Sequence, residues 1–171
     1  MENKPAIIKE SDLSLIEDNA LRGKQLALIL KRTPKTYVKQ RPAKGGGTWD
    51  YVSGSYVRKC LNLMFGWDWS FEVVNSQVLG GQVIVLGKLT CNTNGRSIVK
   101  MQYGKKDIMN KKGSTEPLDL GNDFKAATTD CLKKCASEIG IAGDIYGKED
   151  FKEVEFQIES KPKVEKIYDN G

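Results

Sequence analysis

The chain has 171 residues, 39% hydrophobic and 29% charged, with 27 Lys and Arg against 22 Asp and Glu and no histidine. A chain of this size buries one core plus tails. Without imidazole it has no Ser-His or Cys-His nucleophile and lacks the usual ligand of catalytic zinc. No apolar run approaches the ~20 residues that cross a bilayer. Neither G-x-x-x-x-G-K-[ST] nor G-x-G-x-x-G occurs, and Gly45, Gly46 and Gly47 are followed by Thr48 and Trp49 where a phosphate loop has lysine. The start, MENKPAIIKESDL, lacks the basic-then-apolar layout of a signal peptide, and four Cys with no tight spacing do not make a secreted disulfide scaffold. The expectation is a cytosolic, non-enzymatic protein with reduced thiols and no cofactor.

In chain order, residues 12–30 place Leu13, Ile16, Ala20, Leu21, Leu26, Ile29 and Leu30 at helical spacing, with Gly23 as a weak point. Pro34, Pro42 and the triple glycine read as a loop over 31–50. Ser53 or Ser55 caps a helix running to Phe65, with Tyr56, Val57, Cys60, Leu61 and Met64 on one face and Gly66 at its end. Trp67, Trp69, Phe71 and Val73 then alternate with polar residues as on one strand face. Gly80-Gly81 turns the chain into QVIVLGKLTC and Asn94-Gly95 into RSIVKMQY, which completes an antiparallel meander. From Asn122 to Ile139 the helical stripe Phe124, Ala127, Cys131, Cys135 and Ile139 returns, and Gly140 stops it. The fold class is α+β: a helix, a three-stranded antiparallel meander and a helix, with an N-terminal helical segment (1–30), a main domain (31–147) and a charged tail (148–171).

Charge is unevenly spread. Between Ala20 and Trp49 lie eight cations (Arg22, Lys24, Lys31, Arg32, Lys35, Lys39, Arg41 and Lys44) and no acid. Residues 96–112 add Arg96, Lys100, Lys105, Lys106, Lys111 and Lys112 against Asp107 alone. The tail has five Lys and seven acids, hence −2, which leaves +7 on residues 1–147 of the total +5. Cations interleaved with Tyr37, Trp49 and Tyr51 are the combination that follows a phosphate backbone and stacks bases, although each aromatic taken singly reads more readily as core. Eight cations with no acid repel one another unless a polyanion is near. On the last helix Lys133 lies opposite the apolar stripe and Lys134 to one side; cations there also suit the negative end of the helix dipole without any ligand. Cys131 and Cys135, four apart, could share a metal with Cys60 and Cys91, but buried small apolar residues are the preferred reading. Trp67 and Trp69 read as core or oligomer interface.

The segment GGGTWDYVSGSYVRKCLNLMFGWDWSFEVV, a short hairpin, a strand ending MQYG, and KAATTDCLKKCASEIGIAGDIYG together resemble the Rad-fifty-two family of single-strand annealing proteins, including its bacteriophage (Sak-like) branch. The resemblance runs from about Tyr37 to Gly147. Its most specific pieces are R-x-A-x-GGG at Arg41–Gly47, the tyrosine-led helix ending NLMFGW, and A-x-T-D-x-L-K-[KR]-x-x-x-x-x-G from Ala127 to Gly140. It implies a homo-oligomeric ring that binds single-stranded DNA without ATP and pairs complementary strands in recombination or repair. It also implies an inner groove formed by Arg41, Tyr51, Lys133 and Lys134, with Lys125 contributing. At the family's outer site the hairpin lysine is replaced by Gln82, and a second lysine falls near Lys111 across a segment of different length. A single-strand-binding protein or an exonuclease would be further partners; no membrane is.

Two other readings use different features. Helix, three strands and helix is also the order of the double-stranded-RNA-binding domain, whose second helix needs cations at its start, where this chain has Gly121, Asn122 and Asp123. A partner-binding accessory protein would work through the acidic tail, docking Phe151, Val154, Phe156 and Ile158 on another protein or competing for the groove as a DNA mimic.

Overall fold

The computed structural model describes residues 32–43 and 45–147, together with two short terminal strands, 6–9 and 154–157. The helix expected over 12–30 and most of the charged tail lie outside the described residues. Strand β1 (Ala6–Lys9) pairs in parallel with a strand in the tail, Val154–Gln157, Ala6 opposite Val154 and Lys9 opposite Gln157. Neither strand shows the period-two pattern over enough residues to be read from sequence.

The stretch expected as a loop at 31–50 is instead a 3-10 turn at Lys35–Tyr37 and an antiparallel ribbon of β2 (Lys39–Pro42) and β3 (Thr48–Tyr51). Pro42 ends an edge strand, where its missing N–H breaks no ladder. The glycines form the reversal: Gly46 and Gly47 have φ of 92° and 78°, and the Ala43 amide donates to the Gly47 carbonyl at 3.1 Å. Proline and triple glycine thus shape a hairpin.

Helix α1 (Gly54–Phe65) follows as expected, Ser53 Oγ accepting the Tyr56 amide at 3.1 Å and Gly66 leaving the helix at φ 64°. It buries Val57, Cys60, Leu61, Met64 and Phe65. Strands β4 (Trp69–Leu79), β5 (Gln82–Thr93) and β6 (Arg96–Asp107) form the antiparallel meander in that order, with a register shift between Val73 and Asn75. Trp67 is not on the strand face with Trp69: it sits in the turn before β4 and is 93% exposed, whereas Trp69 is half-buried and donates its indole N–H to Asn62 Oδ1 at 2.8 Å. The helix's glycine stop takes up the residues that alternation alone would assign to the strand.

Along β5 burial alternates: Val83, Val85, Leu89 and Cys91 turn inward beneath helix α2 (Leu120–Ser137). This helix starts two residues earlier than its apolar stripe indicates, because Asp119 is the cap and accepts the Asn122 amide at 2.9 Å. Ala127, Cys131, Leu132, Cys135 and Ala136 are its buried side. Two strand glycines let it lie close. A Cβ on Gly104 would stand 2.3 Å from the Cys131 backbone nitrogen, and one on Gly87 2.7 Å from Cys131 Sγ. Ala142, in the left-handed region at φ 56°, leads into the short helix α3 (Gly143–Tyr146). Asp144 of α3 receives the Thr33 amide and hydroxyl at 2.9 and 2.6 Å, which fixes where the ribbon leaves the body.

All four cysteines are free and buried in this core. Burial pushes the Cys91 and Cys135 thiols up to about 12, so they sit in the core as neutral thiols. Among the described residues no group of three or more Cys, Asp or Glu is placed to hold a metal ion, and no helix is long and apolar enough to cross a membrane.

Candidate nucleic-acid interface

In an antiparallel ribbon, directly opposed residues and residues two apart share a face. The register Lys39 opposite Tyr51 and Arg41 opposite Trp49 therefore puts Lys39, Arg41, Trp49 and Tyr51 on one side of the β2–β3 ribbon. The other side has Gln40 and Asp50, hydrogen-bonded at 3.0 Å. The ribbon sorts two cations and two aromatics onto a single face.

That face meets the C-terminal half of α2. The Arg41 guanidinium lies 5.9 Å and the Lys133 ammonium 5.6 Å from the centre of the Tyr51 ring, both within cation–π range. Arg41, Tyr51 and Lys133, separated by up to 92 positions in sequence, thus form one cluster across two elements. Lys134, one residue on, pairs with Asp130 at 3.1 Å. Asp130 Oδ2 also accepts the Lys105 amide at 3.1 Å, so the acid ties α2 to β6 as well as neutralising a neighbouring cation. Below, the Tyr146 hydroxyl accepts the Val52 amide at 3.4 Å, which joins α3 to the end of β3.

The other expected residues stand apart. Lys125 is exposed, eight residues before Lys133, hence about 12 Å down the helix and about 80° round it. The structure does not bring it into the cluster. Lys111 lies in the loop between β6 and α2, where it pairs with Glu116 at 2.9 Å beside the Asn110–Pro117 bridge. Gln82, at the outer position, donates to Asp107 at 2.6 Å. Asp130 and Tyr146 border the cluster without having been expected as site residues. Asp130 is the acid of the A-x-T-D-x-L-K pattern, and its i,i+3 and i,i+4 spacing to the two lysines is a signal that could find it; Tyr146 falls in the resembling segment that ends DIYG, where no spacing singles it out.

Lys133 is half-buried, and loss of solvent pushes its ammonium below the usual 10.5; Asp130 opposes that shift, while Arg41 and Lys134 add to it. Between the depressed folded value and 10.5 the unfolded chain binds more protons, so this group's contribution to stability rises with pH through that window. Lys133→Met is accordingly expected to gain most over wild type at neutral pH, and the difference in urea midpoint should shrink as pH climbs toward the window. A difference that is flat with pH would show that Lys133 keeps an ordinary lysine's hydration.

Fold and site define an α+β protein with a basic, aromatic surface built by a β-ribbon and the end of a helix. Residues 22–164 match the model of the Rad52/22 family double-strand break repair protein. The chain belongs to this family, and with it to DNA repair and recombination. The match is longer than the motif-based resemblance at both ends and includes the tail strand Val154–Gln157. No curated protein matches the chain.

Proposed function

We propose that the protein binds single-stranded DNA along the Arg41, Tyr51, Lys133 and Lys134 surface and anneals complementary strands as a homo-oligomeric ring. It acts in the cytosol, in the manner of the family's bacteriophage branch, without ATP and without any covalent step. The observation that carries this reading is the convergence of Arg41 and Lys133 on the Tyr51 ring. Long side chains held this way meet phosphate with less ordering still to be done. Contacts to the backbone leave base edges free for a partner strand, and cations spread along the strand lower the repulsion between two polyanions.

Assembly is supported by the sheet. Its outer face carries Ile84, Leu86, Val99, Met101 and Tyr103, of which Val99, Met101 and Tyr103 are exposed, and β4 and β6 are both edge strands. An apolar face between two strands that are edges among the described residues favours association with further copies. The acid-capped start of α2, with Asp119 and Asp123, disfavours the duplex-RNA reading, which needs cations there.

The test is fluorescence anisotropy of a labelled oligonucleotide over a salt series, with light scattering for assembly. The expected result is sequence-tolerant binding by an oligomer larger than a dimer. The logarithm of affinity should fall with that of salt by about 0.7 per phosphate contacted. Salt-independent binding, equal preference for duplex RNA, or a monomer with and without DNA would overturn the proposal.

A further inference from the structure

The ribbon face presents two aromatics, and the structure gives them different surroundings. Tyr51 has the Arg41 and Lys133 cations at 5.9 and 5.6 Å from its ring centre, so a base could take that ring only by displacing a cation. Trp49 is the residue directly opposite Arg41 and two before Tyr51, on the same face, and its side chain is 61% exposed. Of the other aromatics, Tyr37 packs on Tyr56 at 4.8 Å between ring centres and has Lys59 over it, and Trp69 is hydrogen-bonded to Asn62; Trp67 and Tyr103 are exposed as well, but they belong to the turn before β4 and to β6 and not to the ribbon. A large, exposed apolar ring beside a guanidinium costs solubility unless it is covered in use.

We propose that Trp49 is a base-stacking residue of this surface. It takes one nucleobase of a bound single strand on its indole face while Arg41 and Lys133 hold neighbouring phosphates, and Tyr51 serves to hold those cations. This assignment rests on the single-stranded DNA reading above. It divides the work within one short ribbon: a planar, sequence-tolerant platform for a base next to a bidentate donor for phosphate. Stacking at intervals along an oligomer would hold part of the bases in place and leave the intervening ones free to sample a partner strand.

The experiment compares wild type, Trp49→Ala, Trp49→Phe and Trp67→Phe by anisotropy with two labelled strands of equal length, oligodeoxythymidylate and an abasic deoxyribose-phosphate chain, and follows intrinsic tryptophan fluorescence in the same titrations. Trp49→Ala is expected to bind oligodeoxythymidylate about tenfold more weakly, the size of one stacked base, with an unchanged salt slope. On the abasic strand it should match wild type. Quenching of tryptophan emission by oligodeoxythymidylate should disappear in Trp49→Phe, which keeps a ring and binds nearly normally, and persist in Trp67→Phe. Equal losses on both strands, no loss on either, or quenching that survives in Trp49→Phe overturns the assignment while leaving DNA binding standing. A wild-type protein that binds neither strand overturns the functional reading itself.

Discussion

Gly104→Val is expected to leave no native protein, and Gly104→Ala is expected to lower stability by about 1–3 kcal/mol or more, the range for overpacked cores. The reason is what a Cβ meets there: the Cys131 backbone nitrogen at 2.3 Å and the Ala127 carbonyl oxygen at 2.4 Å. Neither is the end of a side chain that could swing away, so relief requires α2 to move off β6. That helix buries Ala127, Cys131, Leu132, Cys135 and Ala136, and lifting it opens the core along its length. For a chain of this size the alanine variant should melt roughly 5–10 °C below wild type. Gly95→Ala is the control, because Gly95 has φ 73° and nothing within 4 Å, so only backbone strain of about 1 kcal/mol is expected. The check is thermal melting followed by circular dichroism. A Gly104→Ala protein that melts with wild type would mean that α2 does not lie on β6 in this way. The same substitution should weaken DNA binding even where folding survives, because the helix that moves carries Lys133 and Lys134.

The parts of the fold that are legible in the sequence are those set by local chemistry. Gly66 ends α1 where expected and Ser53, one of two candidate caps, starts it, since each satisfies or releases helix ends without help from elsewhere. Gly80-Gly81 and Asn94-Gly95 reverse the meander where expected, all four at positive φ. What is not legible depends on pairing across distance. The β2–β3 ribbon has only four residues a side, one of them proline, and becomes a ribbon through its turn and through α3 beneath it. The parallel pairing of Ala6–Lys9 with Val154–Gln157 joins the two ends of the chain, and no local pattern specifies such a pairing.

The candidate site divides the same way. Its cations are visible in the sequence as an acid-free run and as a lysine pair opposite an apolar stripe. Their meeting on Tyr51 is not shown by that patterning, because it requires the ribbon to sit against the last turns of α2; only the family resemblance groups Arg41, Tyr51, Lys133 and Lys134. Charge counting favours cations and so passes over the acid within the cluster, yet Asp130 divides the two lysines: it pairs with Lys134 at 3.1 Å, while Lys133 lies over the Tyr51 ring. Lys125 and Lys111 lie outside the cluster: Lys125 is exposed farther down α2, and Lys111, expected at a separate outer site, pairs with Glu116 within its own loop.

Lys133→Ala combined with Lys134→Ala is expected to cost under about 1 kcal/mol of stability, since the Lys134 pair with Asp130 is a half-exposed one of the kind that contributes little. Asp130 keeps the Lys105 amide as a partner in the variant. DNA affinity should nevertheless fall by about two orders of magnitude, taking roughly 1.5 kcal/mol for each charge-assisted hydrogen bond to phosphate that the variant cannot make. The salt slope should drop by about 1.4, the share of two phosphates. Arg41→Ala should reduce affinity similarly, and Arg41→Lys should restore little of it, because a point charge does not replace a planar fork seated on a ring. Tyr51→Phe should behave as wild type, for the ring face and not the hydroxyl meets the cations, whereas Tyr51→Ala should loosen both and fall between the two classes. Annealing of complementary oligonucleotides, without ATP and at protein concentrations that saturate each variant, separates presentation of the strand from its capture. Slow annealing by the saturated double-lysine variant is the expected outcome, since a strand held by fewer cations leaves more repulsion against its partner. If that variant stays folded and oligomeric yet binds and anneals like wild type, the two lysines serve only the dipole of their helix and the interface lies elsewhere on the molecule.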